Sequence, residues 1–385
     1  MIGGKLIAEG GFGCVFHPGF NEDGDEIKEE KYATKIQVEN ESALNEVKIG
    51  KIISNLDGYI NHFSPIIGVD DLNLKKFKFN KYKKCSILKS RPKKKKFILM
   101  KLDYIKGSPF IDYIIKQGNT IQLINNLIHS YNHLLNGISI LTHNKVVHFD
   151  LKGDNILFDE FRKIPILIDF GLSILFDDIN AISTNTLFLN KYFYIFAPEY
   201  YIWPIEVHYL CYILNEKNTC SNEDLNSIID EYISNNPAFF NFSKNFMKKY
   251  KEKCFHQLKY YNRFESNERI LTILKYWNTW DNYALSILYL KFLRYLNIGG
   301  FDNNKFTIYF SQFLLHNINP NPEERLSLDD TKYEFNKFLF DEKINNIISF
   351  KNVARSFAKN RKYFDKALKQ HKQQNQTLNN LIKKI

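Results

Sequence analysis

The sequence predicts an α+β fold in two parts, a small β-rich half with one main helix and a larger helical half, joined near residue 105. The first hundred residues alternate short apolar strand patterns around glycine turns with a single stretch of helical period. After Lys106-Gly107 the pattern becomes helical over long runs. A chain of 385 residues, 44% hydrophobic and 25% charged, has ordinary globular composition and can bury a sizeable core.

Taken in order, residues 5–8 and 15–17 read as strands flanking a glycine turn, and residues 32–37 as a third strand. Residues 41–54 read as an amphipathic helix carrying Leu44, Val47, Ile49 and Ile52. Strands follow at 66–69 and 97–102, with a lysine-rich segment inserted between them. Helical patterns begin near Phe110 and run through 121–141. Residues 200–278 are rich in aromatics and mixed charge and read as helical. The basic, Gln/Asn-rich tail reads as a solvated, partly ordered end, with a docking helix as the alternative. There is no internal repeat.

Composition narrows the classes. No run of about twenty apolar residues is present, so no membrane span is expected, and the first residues lack the layout of a signal peptide. The five cysteines, Cys14, Cys85, Cys211, Cys220 and Cys254, include no Cys-x-x-Cys pair. They suggest neither a disulfide framework nor a zinc site, and are expected as thiols in a reducing compartment. The net charge of +11 is largely local. About a dozen Lys and Arg fall between Leu74 and Phe97 without one Asp or Glu. A solvated loop, an import signal and a docking patch for an anionic partner at Lys75 to Lys96 are all compatible with it.

Four motifs carry chemistry. In Ile7-Ala8-Glu9-Gly10-Gly11-Phe12-Gly13-Cys14-Val15-Phe16, a strand–glycine–strand turn lets backbone N–H groups approach phosphate oxygens. No helix pattern follows directly, which argues against a dinucleotide fingerprint. In Tyr32-Ala33-Thr34-Lys35-Ile36, a strand lysine can hold phosphates if a carboxylate orients it. Glu46 on the next helix is the best carboxylate, with Glu39 and Glu41 as rivals. In Val146-Val147-His148-Phe149-Asp150-Leu151-Lys152-Gly153-Asp154-Asn155-Ile156-Leu157, Asp150 can accept a proton from an attacking hydroxyl. Lys152 can neutralise charge on a phosphoryl group, and Asn155 offers a neutral oxygen to a hard cation. In Ile166-Leu167-Ile168-Asp169-Phe170-Gly171, a strand delivers Asp169, a carboxylate that can bind a metal beside Asn155, while Phe170 packs beneath it and Gly171 lets the chain turn away.

In order and spacing these motifs resemble the eukaryotic protein kinase superfamily. The resemblance extends to Ala197-Pro198-Glu199, to Trp280-Asp281-Asn282-Tyr283-Ala284-Leu285 with its backbone-anchoring Asp281, and to Arg325, which the family pairs with the Glu of Ala-Pro-Glu, here Glu199. It covers roughly residues 5 to 340. The opening motif also resembles kinases encoded by large DNA viruses. The resemblance implies a two-lobed protein-kinase-like fold. The N-lobe is 1–104 with the basic insertion at about 72–96, the C-lobe 105–345 with a helical insertion at about 200–278, and the basic tail 346–385.

It further implies a serine/threonine protein kinase using ATP and Mg²⁺ on a protein substrate. ATP is then held by Ala8, Gly10, Gly11, Phe12, Gly13, Val15, Ala33, Lys35, Asp103, Ile105 and Leu157, with adenine near the segment Leu102 to Ile105. Asn155 and Asp169 hold Mg²⁺, while Asp150, Lys152, Lys35 and Glu46 carry catalysis. A cytoplasmic or nuclear location is expected, in a host cell or virion if the chain is viral.

The sequence also departs from the pattern. Ala8 replaces the first glycine of the loop, Gly50 falls where a leucine is common, and the spacing from Lys35 to Glu46 is short. Tyr192 stands in the place of the threonine that bonds the catalytic Asp and Lys. These departures feed the alternative of a pseudokinase acting as a nucleotide-binding scaffold; a small-molecule or lipid kinase is a further rival. Phe149 replaces the arginine that binds a phosphorylated activation loop, a non-RD pattern. Replacing Ser173, Ser183, Thr184 and Thr186 together by Ala is therefore expected to leave phosphoryl transfer in place. Abolished activity in that variant, measured with radiolabelled ATP, would refute loop independence.

Overall fold

The computed structural model describes residues 4–10, 13–72, 84–89, 96–115, 120–177, 186–240, 242–296 and 305–340, together with 373, 376 and 380. In chain order the elements begin β1 (Lys5–Glu9), β2 (Gly13–His17), β3 (Tyr32–Val38), α1 (Glu41–Ser54), β4 (Phe63–Ser64), β5 (Ile66–Leu72), α2 (Ser86–Lys89) and β6 (Phe97–Asp103). They continue β7 (Gly107–Pro109), α3 (Phe110–Ile115), α4 (Thr120–His143), β8 (Val146–Val147), β9 (Ile156–Asp159), β10 (Ile164–Ile168), β11 (Ile174–Leu175) and α5 (Thr186–Leu189). The remaining helices are α6 (Ile205–Asn215), α7 (Asn222–Asn235), α8 (Lys244–Tyr261), α9 (Ser266–Leu274), α10 (Trp280–Leu296), α11 (Lys305–Asn317) and α12 (Leu328–Phe340). No helix among the described residues is long and apolar enough to cross a membrane. Most of the lysine-rich insertion, and the tail apart from three positions, lie outside the described residues.

The chain divides into two compact units, one of residues 1–110, 154–173 and 373–385, the other of 111–153 and 174–372. The first unit is built on a five-stranded sheet in the order β1-β2-β3-β6-β5 and a four-stranded sheet in the order β4-β10-β9-β7. Side chains alternate across a strand, so β6 feeds two cores. Ile98 and Met100 pack with Ala43 and Ile66 beneath α1. Phe97 and Leu99 face the other way, onto Cys14, Phe16, Phe20, Ile36, Cys85 and Leu88. The described middle of the lysine-rich insertion, residues 84–89, thus supplies two buried core residues, Cys85 and Leu88.

Cys14 and Cys85, 71 positions apart, are joined by a disulfide. This corrects the expectation that the cysteines form no such link. Separation in sequence hid the pair, and folding of the insertion onto the sheet brings it together. Cys211, Cys220 and Cys254 are buried free thiols.

The helix α1 starts where Asn40 accepts a hydrogen bond from the Ala43 N–H (2.9 Å), with Glu41 favourably placed in the first turn. It is pressed onto β5 at Gly50, where an added Cβ would lie 2.3 Å from the Ile66 carbonyl oxygen. A leucine has no room there, which explains one departure from the family pattern.

The second unit is helical and aromatic. Tyr131 of α4 packs edge-on against Tyr289, Phe310 and Phe313, and Ser130 bonds the Tyr289 hydroxyl (2.6 Å). Strands β8 and β11 form a short antiparallel pair, Val147 opposite Ile174. The region 200–278 is largely helical, as expected, with α7 opened by a reciprocal cap between Ser221 and Asp224. A buried hydroxyl chain links its Tyr250 and Tyr232 to Tyr283 of α10.

Gly50→Ala gains about 1 kcal/mol of helix propensity, yet it drives a methyl group into the β5 backbone. We expect the clash to win, with a net loss of roughly 1–3 kcal/mol by denaturant unfolding. An unchanged or stabilised variant would show that α1 is free to move off β5.

Candidate active site

In the first unit, Gly10 to Gly13 close the β1–β2 turn through a Gly10 N–H to Gly13 carbonyl bond (2.9 Å). Ala8 and Gly10 are exposed, Gly13 is buried and Val15 half-buried; Gly11 and Phe12 lie outside the described residues. Gly13 lies so near β3 that a Cβ would meet the Ile36 carbonyl oxygen at 2.6 Å. Val15 pairs with Lys35, and Lys35 with Met100. Ala33 is buried opposite Leu102.

Lys35 donates to both oxygens of Glu46, at 2.9 and 2.7 Å, and reaches Asp169 Oδ1 at 3.4 Å. Glu46, rather than Glu39 or Glu41, is the partner. Burial works against the Lys35 ammonium, but the Asp169 and Glu46 carboxylates outweigh it and raise its pKa. Burial pushes the Glu46 carboxyl up to about 7, Lys35 pulling it down and Asp169 adding to the rise. The result is a fixed, ionised cation with two carboxylates aimed at it.

The same helix grips the segment after β10. Ser42 Oγ and Asn45 Nδ2 donate to the Gly171 carbonyl (3.2 and 3.3 Å), and Asn45 also to the Ser173 carbonyl (2.7 Å). Ser42, Asn45 and Glu46 stand three and four residues apart, on one helical face. Sequence reasoning singled out only the third. Phe170 is buried edge-on against Phe63, while Asp169 is exposed with a left-handed φ of 63°. Non-glycine residues in that region cluster at functional sites.

The antiparallel register of β9 and β10, Ile156 opposite Leu167, carries Asn155 and Asp169 to the same end of that hairpin. Leu157 lies on β9 between Ile166 and Pro109. Asp103 ends β6; its side chain accepts from the Tyr59 hydroxyl (3.1 Å) and its carbonyl from Ser64 Oγ (3.0 Å). Burial and then the Asp103 charge push the Tyr59 phenol up to about 12. Ile105, two residues on, is buried.

In the second unit, the loop after β8 is anchored by Asp281 of α10. Its carboxylate accepts the His148 and Phe149 N–H groups at 2.6 and 3.0 Å. Burial raises the Asp281 carboxyl, and those donors oppose the rise. Phe149 takes a left-handed φ of 63°. Its ring stacks on Trp203 (4.7 Å) and meets Phe193 and Trp280 (both 5.7 Å), and its carbonyl accepts from Trp203 Nε1 (2.8 Å).

Asp150 and Lys152 are both buried, with Lys152 Nζ 3.0–3.1 Å from the Asp150 oxygens. The Tyr200 hydroxyl donates to Asp150 Oδ1, and Lys152 Nζ lies 3.5 Å from the same hydroxyl. Although Tyr192 stands at the place of the family's threonine in the sequence, Tyr200 therefore makes the contacts to Asp and Lys that the threonine makes. It stands eight residues further along, in the turn before α6, where its ring packs on Trp203 (4.6 Å).

A second correction concerns Arg325. It forms a bidentate pair with Glu206 (2.6 and 2.8 Å), not with Glu199, which is exposed. Glu206 sits in the first turn of α6 and is fully buried; the Ala-Pro-Glu string ends in a surface turn. Burial opposes the Arg325 charge, but Glu206 overcomes it and raises its pKa.

A family model described as Protein kinase domain matches residues 3–332. SNF1-related protein kinase catalytic subunit alpha KIN12 of Arabidopsis thaliana is 31% identical over 88 residues, 23% of this chain and 17% of that protein. The probable serine/threonine-protein kinase KIN1 homolog of Encephalitozoon cuniculi is 39% identical over 97 residues, 25% and 16% respectively. Serine/threonine-protein kinase Nek8 of Danio rerio is 31% identical over 78 residues, 20% and 11%. Each alignment thus spans less than a fifth of the relative's length.

Removing one partner of a buried ion pair leaves the other charge uncompensated. Glu206→Ala is expected to destabilise the protein by about 3–5 kcal/mol. Glu199→Ala, at the surface, should stay within about 0.5 kcal/mol of wild type. Equal losses in urea unfolding would restore Glu199 as the partner.

Proposed function

Because the chain belongs to the protein kinase domain family, we propose that it transfers the γ-phosphoryl group of ATP to serine or threonine hydroxyls of a protein substrate. The observation that carries this reading is Lys35 held by Glu46 with Asp169 alongside. A strand lysine oriented in this way is suited to the α- and β-phosphates, and the Gly10 to Val15 turn to backbone contact with phosphate oxygens. Ala8, Ala33, Asp103, Ile105 and Leu157 complete the proposed nucleotide contacts, with Gly11 and Phe12 in the loop.

The Asp169 carboxylate and Asn155 amide are hard oxygen donors that suit Mg²⁺. When bound there, the ion neutralises phosphate charge. Asp150 accepts the hydrogen bond and then the proton of the substrate hydroxyl, and Lys152 offsets charge on the transferred group. Tyr200 fixes the carboxylate that does this. Positioning and charge neutralisation suffice, because the transition state is loose.

Lys152 two residues after Asp150 supports serine and threonine over tyrosine as acceptors. The rings around Phe149 support a non-RD enzyme, since they fill with apolar packing a position where others hold a phosphate-binding arginine.

Radiolabel transfer from γ-labelled ATP with Mg²⁺ tests the reading on generic protein substrates. Label on serine or threonine should fall about 10²–10⁴-fold in Asp150→Ala. Tyr200→Phe, which loses one hydrogen bond to a charged group, should lower kcat about 10–100-fold with little change in KM for ATP. Full transfer by Asp150→Ala would remove Asp150 as the base. ATP binding by the wild type without transfer would favour the nucleotide-binding scaffold.

A further inference from the structure

We propose that Cys14 and Cys85 are a redox modification site, taking low-molecular-weight disulfides as oxidant, that fastens the phosphate loop and so sets nucleotide affinity. The second half of this statement rests on the ATP-binding reading above.

The placement of the bond carries the inference. Cys14 directly follows Gly13, at the root of the glycine turn, and pairs across the sheet with Ile36, the neighbour of Lys35. Cys85 directly precedes α2, in the insertion. The other strand of the hairpin is tied to the same place: Glu9 Oε1 accepts from the Ser86 N–H (2.9 Å) and from Ser86 Oγ. Both sides of the glycine turn are therefore fastened to consecutive residues, one covalently and one by hydrogen bonds. The strand β1 is an edge strand and mostly exposed. Among the described residues its sheet partner is β2, so β1 depends on this attachment more than the inner strands do.

Both sulfurs are buried beside Phe16, Leu88, Phe97 and Leu99. Exchange requires α2 to lift first, and α2 is four residues long with Leu88 as its buried anchor. Short elements with few buried contacts open at modest free energy. In the oxidising direction, the S–H bonds of Cys14 and Cys85 break and one S–S bond forms through a mixed disulfide with the reagent. The two electrons and two protons leave on the reagent as two thiols. A dithiol reverses the step. The oxidised loop is preorganised for nucleotide, whereas the reduced loop must be ordered on binding, which weakens affinity.

The experiment compares the full chain equilibrated with oxidised glutathione and with dithiothreitol, alongside Cys85→Ser. Peptide mapping reports the 14–85 cross-link, hydrogen exchange reports residues 5–17, and a fluorescent ATP analogue with Mg²⁺ reports affinity. In the reduced protein we expect amides of β1 and β2 to exchange at least tenfold faster and the Kd to rise about three- to tenfold. Cys85→Ser should show the reduced values under both conditions. Absence of the cross-link after oxidation overturns the proposal. So does equal loop exchange in the two states, or a Cys85→Ser variant that still responds. Loop exchange that changes with no change in Kd overturns the control of affinity. If loop exchange responds but neither form binds nucleotide, the fastening stands and the kinase reading falls. Glu9, Cys14 and Cys85 could also hold a thiophilic cation once reduced, since their ligand atoms lie within 4.8 Å of one another. One equivalent of zinc in the reduced protein, with loop protection retained, would also overturn the redox device.

Discussion

A buried carboxylate fixes the segment from which Asp150 projects. Asp281 is buried, and its carboxylate is satisfied by two backbone N–H groups of the loop it holds. That arrangement restrains the backbone at Phe149, a residue in a conformation few side chains tolerate. The ring of Phe149 then enters the cluster of Phe193, Trp203 and Trp280, and Trp203 returns a hydrogen bond to the Phe149 carbonyl. The next residue along is Asp150. Its carboxylate is held from one side by Lys152 and from the other by Tyr200. Loss of the Asp281 anchor would release each of these contacts in turn.

The first unit relies on a different economy, in which one helix performs several tasks. Its glycine allows close approach to β5, and its buried apolar face fills a core with β6. Three polar residues on another face hold Lys35, Gly171 and Ser173. Displacing α1 would therefore disturb the lysine and the segment after Asp169 together. Lys35 stays charged despite its burial because two carboxylates outweigh the loss of water.

Much of this was legible in the sequence. Strands β1, β2, β3, β5 and β6 and the helices α1 and α4 follow from side-chain period, which depends only on nearby residues. The pairing of Lys35 with Glu46 was legible as a choice among three carboxylates, and helix geometry decides it. Strands of two residues, such as β4 and β8, have too short a period to read. Glu206 was hidden because the local string Ala197-Pro198-Glu199 imitates a motif whose role depends on burial at a helix start. Tyr200 was missed for a related reason: which tyrosine reaches Asp150 depends on how the chain turns between Leu189 and α6. The Cys14–Cys85 bond needed the folded insertion to be seen at all.

The aromatic surroundings of Phe149 have a consequence for how such a protein is controlled. Ring packing offers no charge for another enzyme to add or remove, and it is insensitive to ionic strength. On the proposed function, the catalytic loop is ready once the chain has folded. Added phosphate then has no arginine beside Asp150 to engage, which leaves the hold on nucleotide as the step to regulate.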